Sequence, residues 1–210
     1  MPARAAVLYV HGLWMVGVEA VLLRRRLWRE RGYGTHVFRY GSVHEPLAQV
    51  LAQLRATLAG IRAQQVHLIG HSLGGALIVH YLERYTLAQP GRVVFIGAPV
   101  QGSRSAQRLG RWRLGRQLLG HGAAELLQSE ARRWPGPREL GVIAGTASIG
   151  FGRLLQRFEE PNDGTVALSE TRLPGAKAYL DLPVTHMGLV FSATVAREAG
   201  SFLQYGCFGR

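Results

Sequence analysis

The sequence is short of cysteine, aspartate and lysine, and these shortages limit the chemistry that the protein can perform. Its 210 residues include one cysteine, Cys207, so neither an intrachain disulfide nor a cluster of cysteine thiolates around a metal can form. The only aspartates are Asp163 and Asp181. A mechanism that uses an aspartate therefore has two candidates. Lysine occurs once, at Lys177, and arginine supplies the rest of the positive charge.

Long hydrophobic runs are also missing. The apolar segments are far shorter than the roughly 20 residues that cross a bilayer. The apolar segment 5–10 is too short, and follows too little positive charge, for a secretory signal. An apolar content of 47% with 18% charged residues is typical of a folded globular chain rather than a disordered one. We therefore expect one domain, located in the cytoplasm.

The formal net charge of +12 invites comparison with nucleic-acid-binding proteins. The arginines, however, are scattered over many segments, and aromatic residues are not interleaved with them as a base-stacking surface requires. We therefore expect no nucleic-acid partner. Weak contact with an anionic membrane surface or an acidic substrate fits this composition better.

Strand-like and helix-like segments alternate along the chain, which predicts a doubly wound, mostly parallel six-stranded α/β sheet with helices on both faces. Residues 1–210 are predicted to form this single domain. The predicted strands are Ala5–Val10, Thr35–Arg39, Val66–Ile69, Arg92–Gly97, Leu140–Ala144 and Ala176–Leu180. The predicted helices are Val18–Arg31, with Val18, Val21, Leu22 and Leu27 facing inward, then 46–62, Leu73–Arg84 and Gly188–Phe202.

Residues 102–138, here called the insertion, depart from the alternating pattern. The segment is rich in arginine, and Gly110, Gly115 and Gly120 weaken any helix within it. One interpretation is a basic, solvated surface insertion. The other is a mobile cap over the active site, in which Trp112 and nearby leucines touch lipid while arginines meet headgroups.

The most informative motif is the segment 70–75, Gly-His-Ser-Leu-Gly-Gly, between a predicted strand and a predicted helix. A serine hydroxyl projects from such a sharp turn only if the residues two positions away on either side lack bulky side chains. Gly70 and Gly74 meet that need. The sequence therefore predicts that Ser72 is a catalytic nucleophile.

A serine nucleophile needs a histidine to take its proton and a carboxylate to orient that histidine. Asp163 lies in a loop-forming segment well past the fifth strand, and His186 lies between the last strand and the last helix. We predict these two as acid and base, with Glu159, Glu160 and Asp181 as alternative acids. Of the seven other histidines, His121 is a rival base within the insertion, and the remaining six are expected to be structural. The seven are His11, His36, His44, His67, His71, His80 and His121.

The oxyanion formed during such a reaction needs two backbone N–H donors. One is predicted at Leu73, directly after the nucleophile, and the other at Leu13, in the turn after the first strand. Trp14, Met15 and Met187 are predicted to give apolar surface beside the reacting carbonyl, and His11 is predicted to shape the turn rather than to accept a proton.

Together these residues resemble the α/β-hydrolase superfamily, specifically its small lipase and esterase branch with minimal lipases and inositol-deacylase-like relatives. Segment 7–13 resembles the oxyanion strand, 70–75 the nucleophile elbow, and 161–166 the P-x-D-G-x-V acid loop. Segment 97–103 is similar to the G-T-P-H-x-G-S stretch of many lipases, with Ala98 and Val100 where Thr and His are usual. The resemblance implies a compact α/β-hydrolase fold with a Ser-His-Asp triad and no cofactor or metal.

The sequence thus predicts a serine hydrolase that cleaves carboxylic esters of small, lipid-like molecules through an acyl-enzyme. The superfamily also contains thioesterases, so thioesterase or acyltransferase activity stays open as an alternative. A second alternative is a catalytically weak relative that binds a membrane surface or a partner.

Overall fold

Six parallel strands form the centre of the protein. The computed structural model describes residues 3–127, 133–149 and 159–209. The strands are β1 Ala3–Val10, β2 Gly34–Phe38, β3 Ala63–His71, β4 Val93–Ile96, β5 Leu140–Gly145 and β6 Ala178–Leu182. Their spatial order is β2-β1-β3-β4-β5-β6, and each neighbouring pair is parallel. The predicted fold class is therefore confirmed.

Eight helices are found among the described residues. They are α1 Val21–Arg31, α2 Leu47–Gly60, α3 Leu73–Arg84, α4 Arg104–Leu109, α5 Arg113–Leu127, α6 Leu168–Thr171, α7 Gly188–Phe191 and α8 Ala193–Tyr205. Within the described ranges, no helix is both long and apolar enough to cross a membrane.

Each face of the sheet carries its own apolar core, because side chains alternate between faces along a strand. In β4, Phe95 points to the core that includes Leu54 of α2 and Leu77 of α3. Its neighbour Val94 points to the opposite core, with Leu27 of α1 and Phe202 of α8. This two-sided burial explains why β4 and β5 are buried and free of polar side chains along their whole length.

The direction in which successive strands are added to the sheet reverses at β1, which lies between β2 and β3. From β1 the chain crosses to β2 on one side, then returns to place β3 on the other side of β1. In open α/β sheets, ligands bind outside the carboxyl ends of the strands at such a reversal. The segments after Val10 and His71, which end β1 and β3, both lie there.

Two helix predictions need correction. The first helix begins at Val21, and Val18, Val21 and Leu22 are exposed, because its buried stripe is formed by Leu23 and Leu27. The last predicted helix is divided into α7 and α8 by Ser192. That residue is extended, and its hydroxyl accepts a 3.3 Å hydrogen bond from the Val195 N–H, so it caps a new helix.

The insertion is more helical than its glycines predicted. It contains α4 and α5, and residues 128–132 of it lie outside the described part of the chain. Gly115 is accommodated inside α5, while Gly120 breaks the helix with φ 73° and ψ 165°. The glycine-rich pattern thus marks a break in one helix rather than the loss of both helices.

Candidate active site

Ser72 occupies the sharp turn between β3 and α3. Its φ of 52° is unusual for a residue with a side chain, and Trp14 is the one other described non-glycine residue with a positive φ. The Ser72 N–H donates to the Ile96 carbonyl at 3.1 Å, and the Ser72 carbonyl accepts from the Gly75 N–H at 3.0 Å. These bonds hold the strained backbone, and strain of this kind is concentrated at functional sites.

Glycine is required on both sides of this turn. A Cβ on Gly70 would lie 2.6 Å from the Gly75 Cα, and one on Gly74 would overlap the carbonyl oxygen of Val10. The turn is therefore packed directly against the end of β1. Leu73 is the first residue of α3, and the first N–H groups of a helix have no partner within the helix.

Asp163 lies in a tight turn, residues 161–166, shortly before α6. Its Oδ1 accepts hydrogen bonds from the N–H groups of Thr165 at 2.9 Å and Val166 at 2.7 Å. Its side chain is buried, and its Oδ2 lies 2.7 Å from Nδ1 of His186. One carboxylate oxygen thus orders the loop while the other orients the imidazole.

The turn after β1, residues 10–14, contains the predicted oxyanion donor Leu13 and is here called the oxyanion turn. His11 stacks on Tyr40 with ring centroids 4.3 Å apart, and its Nδ1 lies 2.8 Å from the Gly12 carbonyl oxygen. Its Nε2 lies 3.4 Å from the Tyr40 backbone nitrogen, as expected of an acceptor. Burial lowers the pKa of His11, so a neutral ring with the proton on Nδ1 fits both contacts. The His11 ring therefore stabilises the oxyanion turn through contacts of both its nitrogens.

A cavity of about 320 Å³ lies beside the nucleophile turn, His186 and the oxyanion turn. Ser72 and His186 both line it, together with the predicted oxyanion residues Leu13 and Leu73. Most of its remaining walls are apolar, including the predicted contacts Trp14, Met15 and Met187 and three leucines of the insertion, Leu109, Leu119 and Leu127. An apolar cavity with a few convergent polar groups is the usual form of a small-molecule site.

The alternative acids are engaged elsewhere or exposed. Glu160 pairs with Arg104, and Asp181 pairs with Arg172 at 2.5 Å, while Glu159 is exposed. Among the described residues no group of three or more His, Cys, Asp or Glu side chains is arranged to hold a metal ion.

The sequence of residues 7–202 matches the alpha/beta hydrolase family. The chain belongs to this family. No curated protein matches the chain significantly.

Solved structures of other hydrolases share the family fold. A carboxyl esterase of metagenomic origin is 20% identical with a TM-score of 0.65; the match covers 89% of this chain but only 65% of that esterase. The pyrethroid hydrolase PytH is 15% identical, with a TM-score of 0.62 and coverage of 96% and 98%. The Vlm2 thioesterase domain, solved with a bound dodecadepsipeptide, is 15% identical, with a TM-score of 0.59 and coverage of 100% and 96%. At these identities the likeness establishes the fold.

Two features of this hydrolase-family site were missed in the sequence. His71 was expected only to be structural, but its ring centroid lies 4.9 Å from that of His186, and neither ring nitrogen makes a hydrogen bond of ordinary geometry among the described residues. Burial lowers the pKa of His71 well below its ordinary value. Gly97 is the second feature, because a Cβ there would lie 3.1 Å from Asp163 Oδ2. A glycine directly after a buried strand was the available signal.

Proposed function

We propose that the chain is a serine hydrolase that cleaves carboxylic esters, with Ser72 as nucleophile, His186 as general base and Asp163 as the carboxylate that orients the base. The observation that carries the proposal is the 2.7 Å contact between His186 Nδ1 and Asp163 Oδ2 beside a cavity that Ser72 and His186 share. A carboxylate at Nδ1 leaves Nε2 to exchange the proton.

The reaction has two halves. In the first, Ser72 Oγ attacks the ester carbonyl, His186 takes the hydroxyl proton, and the proton passes to the departing alcohol as the acyl-enzyme forms. In the second, water attacks the acyl-enzyme, His186 takes a proton from the water and returns it to Ser72, and the carboxylic acid leaves. The N–H groups of Leu13 and Leu73 stabilise the negative oxygen in both halves.

The cavity favours an aliphatic acyl group. Its walls are mainly apolar, and its volume lies near the lower end of the roughly 300–1,000 Å³ typical of small-molecule sites. We therefore propose a lipid-like ester whose acyl chain has medium length and rests against the leucines of α4 and α5. Thioester hydrolysis is the second candidate, favoured by the fold shared with the Vlm2 thioesterase domain. Matched oxygen and sulfur esters of one acid distinguish the two.

Weak contact with an anionic membrane surface is proposed for the insertion. Trp112 and Leu114 are 73% and 67% exposed, and Arg111 and Arg113 adjoin them in sequence. Apolar side chains flanked by arginines suit the boundary between headgroups and acyl chains. Sedimentation with anionic vesicles should fall as salt rises, and absence of binding at low salt would reject this contact. The location in the cytoplasm stays a prediction.

Ser72→Ala tests the main proposal. This variant should lose at least about a thousandfold in turnover of p-nitrophenyl esters, because the nucleophile is gone while the fold remains. A fluorophosphonate probe should label the wild-type protein and not this variant. Ser201→Ala is the control, since this serine of α8 bonds the Cys207 carbonyl at 3.2 Å, outside the cavity. Persistent turnover by Ser72→Ala would refute the proposal.

A further inference from the structure

Trp14 connects the oxyanion turn to two other parts of the molecule. Its backbone N–H donates to Ser42 Oγ at 3.1 Å, and its indole N–H donates to the Leu118 carbonyl oxygen at 2.9 Å. Its φ of 59° places the backbone in a strained region. The residue directly follows Leu13, the proposed oxyanion donor, so both bonds act on the geometry of that donor.

The Leu118 carbonyl is presented by the break in α5. Gly120, two residues later, has non-helical backbone angles. A break of this kind interrupts the helical hydrogen bonds of the preceding turn, so a carbonyl there can accept a bond from elsewhere. A Cβ on Gly120 would overlap the Val43 carbonyl oxygen. The break is therefore packed against the backbone of the loop that follows β2.

The same loop supports the oxyanion turn. Ser42, which accepts the Trp14 N–H, precedes Val43, and a Cβ on Gly122 would lie only 2.9 Å from the Glu45 carbonyl oxygen. Three segments thus meet: the oxyanion turn, the loop 41–45 and the broken helix α5. Trp14 bonds to both of the other two segments.

We propose that Trp14 is a positioning residue that couples the insertion to the oxyanion turn and so keeps the Leu13 N–H directed at the substrate carbonyl. This inference rests on the proposed function and adds a role at the same site. The Leu13 N–H can stabilise the oxyanion only while the oxyanion turn keeps its conformation. Small displacements of catalytic groups lower the reaction rate by large factors.

Trp14→Phe removes the indole N–H and keeps an aromatic ring against the cavity. We expect kcat for a p-nitrophenyl ester to fall about threefold to tenfold, the usual effect of one hydrogen bond, with KM changing less than twofold. The inhibition constant of an aliphatic boronic acid, whose tetrahedral serine adduct places an oxygen in the oxyanion site, should rise by the same factor as kcat falls. A role limited to lining the cavity would instead raise KM.

A second measurement is independent of activity. The insertion carries exposed arginines at Arg108, Arg111 and Arg113, and trypsin should cut there faster in Trp14→Phe than in the wild type, because the bond to Leu118 is gone. Ser42→Ala removes the other anchor and should also lower kcat without raising KM. Trp28→Phe, on the exposed side of α1, is the matched control and should change neither result.

The outcomes separate this inference from the proposed function. Activity that survives Ser72→Ala would overturn the proposed function whatever Trp14→Phe does. If Ser72→Ala is inactive while Trp14→Phe keeps wild-type kcat and tryptic cleavage, the coupling alone is wrong. A rise in KM with unchanged kcat would also overturn it.

Discussion

Asp163 and His186 are joined by two separate hydrogen bonds. The carboxylate Oδ2 of Asp163 lies 2.7 Å from Nδ1 of His186, and the backbone carbonyl of Asp163 accepts the His186 N–H at 2.8 Å. The turn that holds Asp163 and the loop after β6 are therefore joined through both main chain and side chain. This double contact limits rotation of the imidazole, which is the requirement for a directed proton acceptor.

Asp163→Asn should lower kcat by about three to four orders of magnitude while the fold is kept. The amide has nearly the same shape and can still accept the loop N–H bonds through one oxygen. It cannot match a carboxylate in holding a protonated imidazole or in selecting the tautomer. Steady-state kinetics with a p-nitrophenyl ester, together with circular dichroism for the fold, measure the effect.

Asp181→Asn is the control for this prediction. Asp181 is the other aspartate of the sequence, and it pairs with Arg172 on an exposed edge. Exposed ion pairs contribute only about 0–1 kcal/mol, so this variant should keep wild-type kinetics. Equal losses in the two variants would contradict the orienting role of Asp163.

Ala106→Phe should shift acyl-chain preference toward short esters. Ala106 of α4 lines the cavity that also contains Ser72 and His186, and a phenyl ring there would take space from the proposed acyl chain. We expect kcat/KM for the octanoate ester to fall about tenfold or more and that for the acetate ester to change little. A series of p-nitrophenyl esters of increasing length measures this preference.

Ala124→Phe provides the comparison for chain length. Ala106 lines both the cavity beside Ser72 and a neighbouring cavity, whereas Ala124 of α5 lines only the neighbouring one. The Ala124→Phe variant adds the same phenyl ring to the insertion without narrowing the proposed acyl site. If both variants lose octanoate activity equally, the acyl chain does not lie where we propose.

His67→Asn should make stability less dependent on pH. Burial, reinforced by Arg92 and Arg138, lowers the pKa of His67 from 6.5 to about 4. Its Nδ1 accepts the Arg92 N–H at 3.0 Å, a contact that the asparagine Oδ1 can reproduce without titrating. As the pH falls, the unfolding free energy of the variant should therefore decrease less than that of the wild type.

The direction follows from proton binding. Between pH 6.5 and 4 the unfolded chain binds a proton at His67 that the folded protein does not, so the stabilisation is present above pH 6.5 and is lost as pH falls toward 4. Between pH 7 and 5 the wild type should lose about 2 kcal/mol more unfolding free energy than the variant. Urea denaturation at both pH values measures it. His36→Asn, an exposed histidine of β2, is the control, and an equal change there would contradict the assignment.

Local patterns predicted the backbone around the nucleophile well. The glycines flanking Ser72 and the apolar run before it were sufficient to predict a strand, a turn and a helix, and α3 spans the predicted Leu73–Arg84. These features depend on nearest neighbours, since a missing Cβ and an apolar strand act over a few residues. The split at Ser192 was missed because one capping hydroxyl decides it.

The amino-acid sequence by itself determined the six-stranded fold class and the sharp turn at Ser72, because apolar periodicity and glycine spacing are local properties of the chain. Apart from Asp163 and His186, which the sequence had already paired as acid and base, the tertiary structure alone decided which residues meet across long separations. It placed His71 against His186, Gly97 beside Asp163 and the Leu118 carbonyl on the indole of Trp14. Such contacts depend on how the segments pack in three dimensions, and sequence spacing carries little information about that packing.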